Sequence, residues 1–489
     1  MVRRAPESFI AILVAALSLG APAANGVRAA DATPPPGTAL ADESDAGMHF
    51  RLTFGLRADP DYVALAAKGG PDFSNADWGV PLSDAEAAEM QRRLDIQHSL
   101  TAALEYANSQ PSFAGAYIDQ LQQGMPVFLF TDPDAIDASK LSAGVDASTK
   151  VAIGRAAYTL KELTSTQELI SDSREQLTRA GLDVTSVSTN VETNQVEVAV
   201  AKMTTEGANA LRNIAPAAVL MEGGQPVADA CTITSCPPPT GLIGGLYIIE
   251  SGIHYCTAGW VGKRLDVSGV TALVTAGHCV RGGSLDWHHN SSVIGYAANS
   301  NGWYDGSWSD VGWIVLNSSS IPSAKNKALY NPTTSPPKVV SITSTADANQ
   351  QLQGEQVCRI GYGSWYKETH PSDPLHNHYT GLQCGKIVRY SSDSNGVDDE
   401  DSQSCVATTN CKYIRYMKVV GFDSTGGDSG GTIFEPTTGS TAVLLGTHVH
   451  SETDSSSSDR GWYTTYQYNH IELHDYLGYD IVACLTASC

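Results

Sequence analysis

The first 230 residues contain no cysteine; all ten lie between Cys231 and Cys489. No two are spaced Cys-x-x-Cys, which argues against zinc ribbons and dithiol redox motifs. An even number of cysteines confined to one part of the chain reads instead as a disulfide-stapled domain made in an oxidising compartment. Basic charge is also scarce. Lys and Arg number 30 against 52 Asp and Glu, a formal net charge of −22, so no basic field exists to attract nucleic acid or an anionic membrane. Long apolar runs are missing too. The longest, Phe9 to Leu17, is too short to span a bilayer as a stable helix.

That short run has a function of its own. Arg3 and Arg4 precede it, and small-residue sites follow at Ala21-Pro22-Ala23 and Val27-Arg28-Ala29. The order matches a secretory signal peptide over residues 1–30, so a secreted product is expected, with no membrane partner. At 489 residues the chain is too long for one ordinary domain.

Residues 45–230 read as an α+β region. Ser83 to Glu86 and Ser165 to Glu168 are capping boxes, and Gly181 is a C-cap for the second helix. Hairpins are expected around Gln122-Gln123-Gly124 and Glu192-Thr193-Asn194. Gly223-Gly224 and Pro237-Pro238-Pro239 punctuate a boundary at Glu222 to Gly241, with the linker proper at 231–241. From 242 to 489 short strands alternate with Gly, Ser and Asn turns: Tyr247–Ile249, Ala272–Thr275, Val311–Leu316, Val339–Ile342 and Val443–Leu445. That texture predicts an all-β domain, with helical periodicity only at His470 to Leu477.

Within this second region lie Thr275-Ala276-Gly277-His278-Cys279 and, near the end, Gly426-Gly427-Asp428-Ser429-Gly430-Gly431. Either string alone is compatible with a strand end or a turn. In this order, with Asp310 between them, they supply a hydroxyl nucleophile, an imidazole to take its proton and a carboxylate to fix the imidazole's tautomer. The order His, Asp, Ser is that of chymotrypsin. Asp305 is the rival carboxylate, but Tyr304-Asp305-Gly306 reads as a turn, whereas Asp310 leads an apolar strand. The N–H groups of Gly427 and Ser429 would form the oxyanion hole.

These residues resemble the chymotrypsin superfamily, and more closely its secreted bacterial branch of α-lytic protease and the streptogrisins. Leu242-Ile243-Gly244-Gly245 is similar to the mature start of those enzymes, and the Cys-free region to their pro-region. The resemblance implies an all-β catalytic domain of two six-stranded trypsin-like barrels at 242–489, with the active site between them. It also implies bridges Cys256–Cys279 and Cys358–Cys384, polypeptide substrates, a pro-region serving as folding template, a monomer, and no cofactor or metal. The half-cystine usual before the nucleophile loop is absent; Asp423-Ser424-Thr425 stands there. Cys231/Cys236, Cys405/Cys411 and Cys484/Cys489 have no counterpart, and their pairing stays open.

Two registers of the substrate pocket compete. Asp423, six residues before Ser429, would pair an Arg or Lys side chain. Alternatively Ser424, His448 and Ser451 match the polar trio of bacterial glutamyl endopeptidases, in which a cationic imidazole receives a carboxylate. The second reading, cleavage after Glu, is preferred because the rest of the body is bacterial in style. His370, Asp373, His376 and His378 lack the tight spacing of a zinc site, and Asp398 to Asp401 lacks the glycine punctuation of a calcium loop. A non-catalytic binding protein on the same fold, or an esterase using the same acyl transfer, are the competing functions.

Overall fold

The helix Asp84–His98 starts where its chemistry places it. Ser83 accepts from the Glu86 N–H and Glu86 reaches back to the Ser83 N–H, so two of the donors orphaned at a helix start are satisfied. The computed structural model describes residues 43–73, 75, 77–146, 149–222, 225–227, 242–250, 254–280, 286–289, 292–297, 303–305, 308–322, 325–331, 338–361, 382–395, 413–422, 424, 427–437, 440–453, 460–487 and 489.

The second capping box lies earlier than the sequence reading placed it. Thr159 caps Leu160–Asp172 and Glu162 completes the box, leaving Ser165 and Glu168 inside the helix. Thr159-x-x-Glu162 satisfies the same motif, and only this start puts Leu163, Gln167 and Ile170 on the buried face. Gly181, at φ +81°, closes the short helix Arg174–Arg179 that follows a break at Ser173. Both expected hairpins form: Phe113–Asp119 with Met125–Phe130, and Asp183–Asn190 with Gln195–Lys202.

Strands dominate from Tyr247 onward. One sheet of nine strands collects Tyr247–Glu250 through Asp310–Leu316, with Ile481–Ala483 returning to pair with Val261–Arg264. A second sheet of twelve contains six strands that close on one another: Gln356–Ile360, Leu382–Asn395, Tyr413–Val420, Arg460–Thr465, Thr441–Thr453 and Thr432–Pro436, each antiparallel to two others of the set. The single helical stretch near the end runs from Tyr466 to Ile471 and widens into a π-type turn over Glu472–Tyr476.

The same twelve-stranded sheet crosses the expected domain boundary. Leu382–Asn395 takes Asp183–Asn190 as an antiparallel neighbour, Ser391 opposite Thr189 and Asp393 opposite Val187. The buried Asp393 carboxylate accepts from Gln167 Nε2 at 2.6 Å, Ser171 Oγ at 2.5 Å and the Tyr416 N–H at 2.9 Å. Gln97 and His98, at the end of the helix Asp84–His98, both reach Glu435 on the closed set of strands. Part of the stretch expected to be a boundary is also strand: Gln225–Val227 pairs antiparallel with Ser451–Thr453. The linker expected at 231–241 lies outside the described residues. Among the described residues no helix is long and apolar enough to cross a membrane.

Candidate active site

Fully buried Thr271–Thr275 pairs with Asp310–Leu316, Thr275 opposite Gly312. The chain then turns into Gly277–Val280 directly above Asp310. Gly312 is required there, since a Cβ would lie 2.0 Å from Val280 Cγ2. The bridge Cys256–Cys279 pins the turn from the other side.

His278 consequently meets Asp310 twice. Its backbone N–H donates to Oδ1 at 2.8 Å, and its Nδ1 lies 2.5 Å from Oδ2. Only 4% of His278 and 2% of Asp310 are exposed. Facing an acceptor-only carboxylate, Nδ1 carries the proton, which leaves Nε2 as the basic nitrogen. The backbone of the rival Asp305 lies opposite Asp310 on the neighbouring strand, and the Asp310 carboxylate is bonded to His278.

Ser429 arrives on a loop shaped by glycine. Gly427 is at φ +95° and Gly430 at φ +89°; a Cβ on Gly430 would lie 2.0 Å from Thr275 Oγ1. The loop is tied down on both flanks. Thr257 donates its N–H to the Ser429 carbonyl at 2.7 Å and its hydroxyl to the Gly427 carbonyl at 2.6 Å. On the other side the Gly430 N–H donates to the His448 carbonyl at 2.9 Å, and the His448 N–H to the Gly431 carbonyl at 2.8 Å. The Ser429 side chain is fully buried and donates to the Val449 carbonyl at 3.0 Å.

Two residues that the sequence reading passed over hold this loop. Arg359 Nη2 pairs with Asp428 at 2.8 Å, both side chains being fully buried. Breaking such a pair leaves an uncompensated buried charge, so it locks the loop far more firmly than a surface pair would. Gly361 permits the approach, because a Cβ there would lie 2.0 Å from Asp428 Oδ1. Asp428 sits inside the nucleophile motif and Arg359 follows Cys358, so the residues were visible while their pairing was not. Cys358 and Cys384 are bridged, as are Cys484 and Cys489.

Of the expected pocket residues, Ser424, His448 and Ser451 lie among the described ones. His448 is fully buried, and burial, reinforced by the Arg359 charge, holds its imidazole well below the usual histidine range. His450, absent from the sequence reading, stacks on Trp462 with ring centroids 5.5 Å apart, and neither ring nitrogen has a hydrogen-bond partner among the described residues. Burial and the neighbouring His448 push it down to about 3. Ser424 is half-buried, its Oγ without a partner among the described residues. Ser451 stands opposite Val227.

Asp423, the histidines of the 364–379 insertion, the acidic run 398–401, and Cys231, Cys236, Cys405 and Cys411 lie outside the described residues. Among the described residues the single cluster with metal-ligand geometry is Cys256, His278 and Cys279, and its two sulfurs are bonded to each other.

No protein-family model matches the sequence, and no curated protein matches it. Solved structures do align with about half of the chain. Thermobifida fusca protease A aligns at 21% identity, covering 50% of this chain and all of that one, with a TM-score of 0.32. A glutamic-acid-specific serine protease described as using a histidine triad in substrate binding aligns at 21% identity over 49% of this chain and 100% of its own, TM-score 0.32. Nocardiopsis protease aligns at 20% identity over 50% and 99%, TM-score 0.32. These neighbours are bacterial serine proteases; at such identities and TM-scores the likeness carries no argument for the activity of this chain.

Proposed function

We propose that the chain is a serine endopeptidase made as a secreted precursor, with Ser429 as nucleophile, His278 as general base and then acid, and Asp310 as the carboxylate that orients the imidazole. The observation that carries this reading is the double hold of Asp310 on His278, beside a glycine-shaped loop that presents Ser429. On this reading the N–H groups of Gly427 and Ser429 receive the developing oxyanion, and the catalytic part folds as two barrels over 242–489. The disulfides and the N-terminal apolar run favour export.

Two features favour a precursor state. Ser429 is fully buried, with its hydroxyl on the Val449 carbonyl. The strand Gln225–Val227 runs antiparallel along Ser451–Thr453, the manner in which an extended peptide adds to a sheet edge. Reaction requires the hydroxyl to leave Val449 for the imidazole and the edge to accept a substrate. Residues 45–230 are then a pro-region that templates folding and is removed.

For specificity, His448 beside the nucleophile loop favours a substrate carboxylate, with Ser424 and Ser451 as further polar contacts. Cleavage after Arg or Lys through Asp423 is the alternative. Titration of the secreted protein with an organophosphonate tests the class. A stoichiometric adduct on Ser429 is expected; its absence would favour a non-catalytic binding protein. Ester and peptide substrates assayed side by side separate an esterase.

A further inference from the structure

The chain that leads into Asp310 is gripped by one helix. Tyr468, Asn469 and Glu472 fall on one face of the Tyr466–Ile471 helix and its π-type continuation, and all three reach Trp308 or Ser309. Tyr468 stacks on Trp308 with centroids 5.8 Å apart. Glu472 Oε1 accepts from the Trp308 backbone N–H at 2.7 Å. Asn469 Oδ1 accepts from the Ser309 hydroxyl.

The other end of the Asn469 amide goes elsewhere. Nδ2 donates to Thr447 Oγ1 at 2.9 Å, and Trp260 Nε1 donates to the same oxygen at 3.2 Å. Thr447 precedes His448, whose backbone is paired to the nucleophile loop on both its N–H and its carbonyl. One side chain thus ties the residue before the triad carboxylate to the residue before the pocket histidine. Ser309, Thr447, Asn469 and Glu472 are all fully buried. An amide suits this place because it offers an acceptor and donors at once, whereas an aliphatic side chain would leave two buried hydroxyls short of a partner. The helix also widens into its π-type turn at Glu472, a local distortion that recurs at functional sites.

We propose that Asn469 and Glu472 are positioning residues, setting where Asp310 stands relative to the pocket strand and so how it holds His278. This rests on the endopeptidase reading above. Neither residue touches the reacting atoms; they act through the backbone of 308–310.

The test uses full-length chains allowed to mature. The wild-type protein is first titrated with organophosphonate, and failure to form an adduct sinks the endopeptidase reading itself. With an active wild type, Asn469→Ala should lower kcat about 10- to 100-fold while KM stays within about twofold, because a small misplacement of a catalytic group acts on the chemical step. The acid limb of the kcat/KM profile should move to lower pH, since the imidazolium loses a well-placed carboxylate. Ser309→Ala and Thr447→Val, each cutting one arm, should lower kcat less and combine non-additively with Asn469→Ala. Glu472→Ala should lower kcat, and Glu472→Gln, which keeps an acceptor for the Trp308 N–H, should recover it. If Asn469→Ala fails to fold, Ser309→Ala and the Glu472 pair decide by the same readouts. Variants that lose thermal stability but keep kcat and the acid limb of the wild type would overturn the proposal and leave the network purely structural.

Discussion

The Ser429 hydroxyl rests on the Val449 carbonyl at 3.0 Å, while its loop is held by backbone bonds to Thr257 and His448. Removing the oxygen should therefore leave the surrounding loop intact. Ser429→Ala is expected to cost about 10⁵–10⁶ in turnover and to leave an uncut precursor if maturation is autocatalytic; near-normal peptidase activity would end the assignment. Asp310→Asn should keep the fold and cost about 10⁴ through the wrong imidazole tautomer, and the same loss from Asp305→Asn would transfer the role to that residue. Burial and the Arg359 charge hold the His448 imidazole well below the usual histidine range, so on the proposed reading it would have to take up a proton to receive a carboxylate. Cleavage after Glu should consequently weaken as pH rises, through KM, and His448→Ala should erase the preference in a peptide library. If cleavage instead follows Arg or Lys and His448→Ala is silent, Asp423 is the reader. His278, Asp310 and Ser429 were legible as candidates because each sits in a motif with its own local grammar. Arg359 and Asn469 were not, because each acts across 20 residues or more; nor was His450, because an isolated polar residue in a strand announces no partner.

At the scale of elements, the strands were legible from alternation and turn residues, and their centres were placed well. Their ends were not: Val443–Leu445 lies near the start of Thr441–Thr453, whose later part alternates too little apolar with polar to be seen. The helix at Thr159 was misplaced because two successive Ser/Thr-x-x-Glu strings compete, and only the buried face decides between them. The strand Gln225–Val227 was invisible for a different reason. Three residues holding a proline carry no strand signal, and the partner edge at Ser451–Thr453 supplies the structure. Its position beside the pocket gives maturation a chemical prediction. Between Val227 and Cys231 the sequence offers one acidic residue, Asp229. If the pocket reads carboxylates and the enzyme cuts itself, N-terminal sequencing of the mature protein should begin at Ala230, and Asp229→Lys should stall maturation. A mature start elsewhere, with normal maturation of Asp229→Lys, would separate processing from pocket chemistry.

For the whole molecule, the shared twelve-stranded sheet and the non-local pairing of its strands predict slow folding of 242–489 alone. Expressing that part should yield little active protein, rescued by supplying residues 45–230 as a separate chain; efficient unaided folding would refute a templating role. Acid should act on the undivided chain through two opposed groups. Buried His450, pushed down to about 3, favours the folded state only while neutral, so its contribution fades as pH falls below 6.5. Asp393, pushed up to about 6 by burial, works the other way, losing stability as pH rises from 3.8 through 6. His448 adds to the first effect, so the histidines should win. Thermal melts of full-length Ser429→Ala between pH 4 and 7 should show Tm climbing with pH, and His450→Phe should flatten the climb. A Tm that falls across this range would show that Asp393 dominates.

If residues 183–202 are removed on maturation, as proposed above, Asp393 has a second consequence. In the covered state Leu382–Asn395 is an interior strand around Ser391–Ser394, flanked by Asp183–Asn190 on one side and Tyr413–Val420 on the other. Loss of the first neighbour turns that stretch into an open sheet edge, a ready template for unwanted strand addition between molecules. The edge bares Ser391, Ser392, Asp393 and Ser394, and the carboxylate, released from its apolar surroundings and from Gln167 and Ser171, ionises in water. On that proposal, a charge that is awkward while the strand is covered would become a guard against aggregation once it is bared.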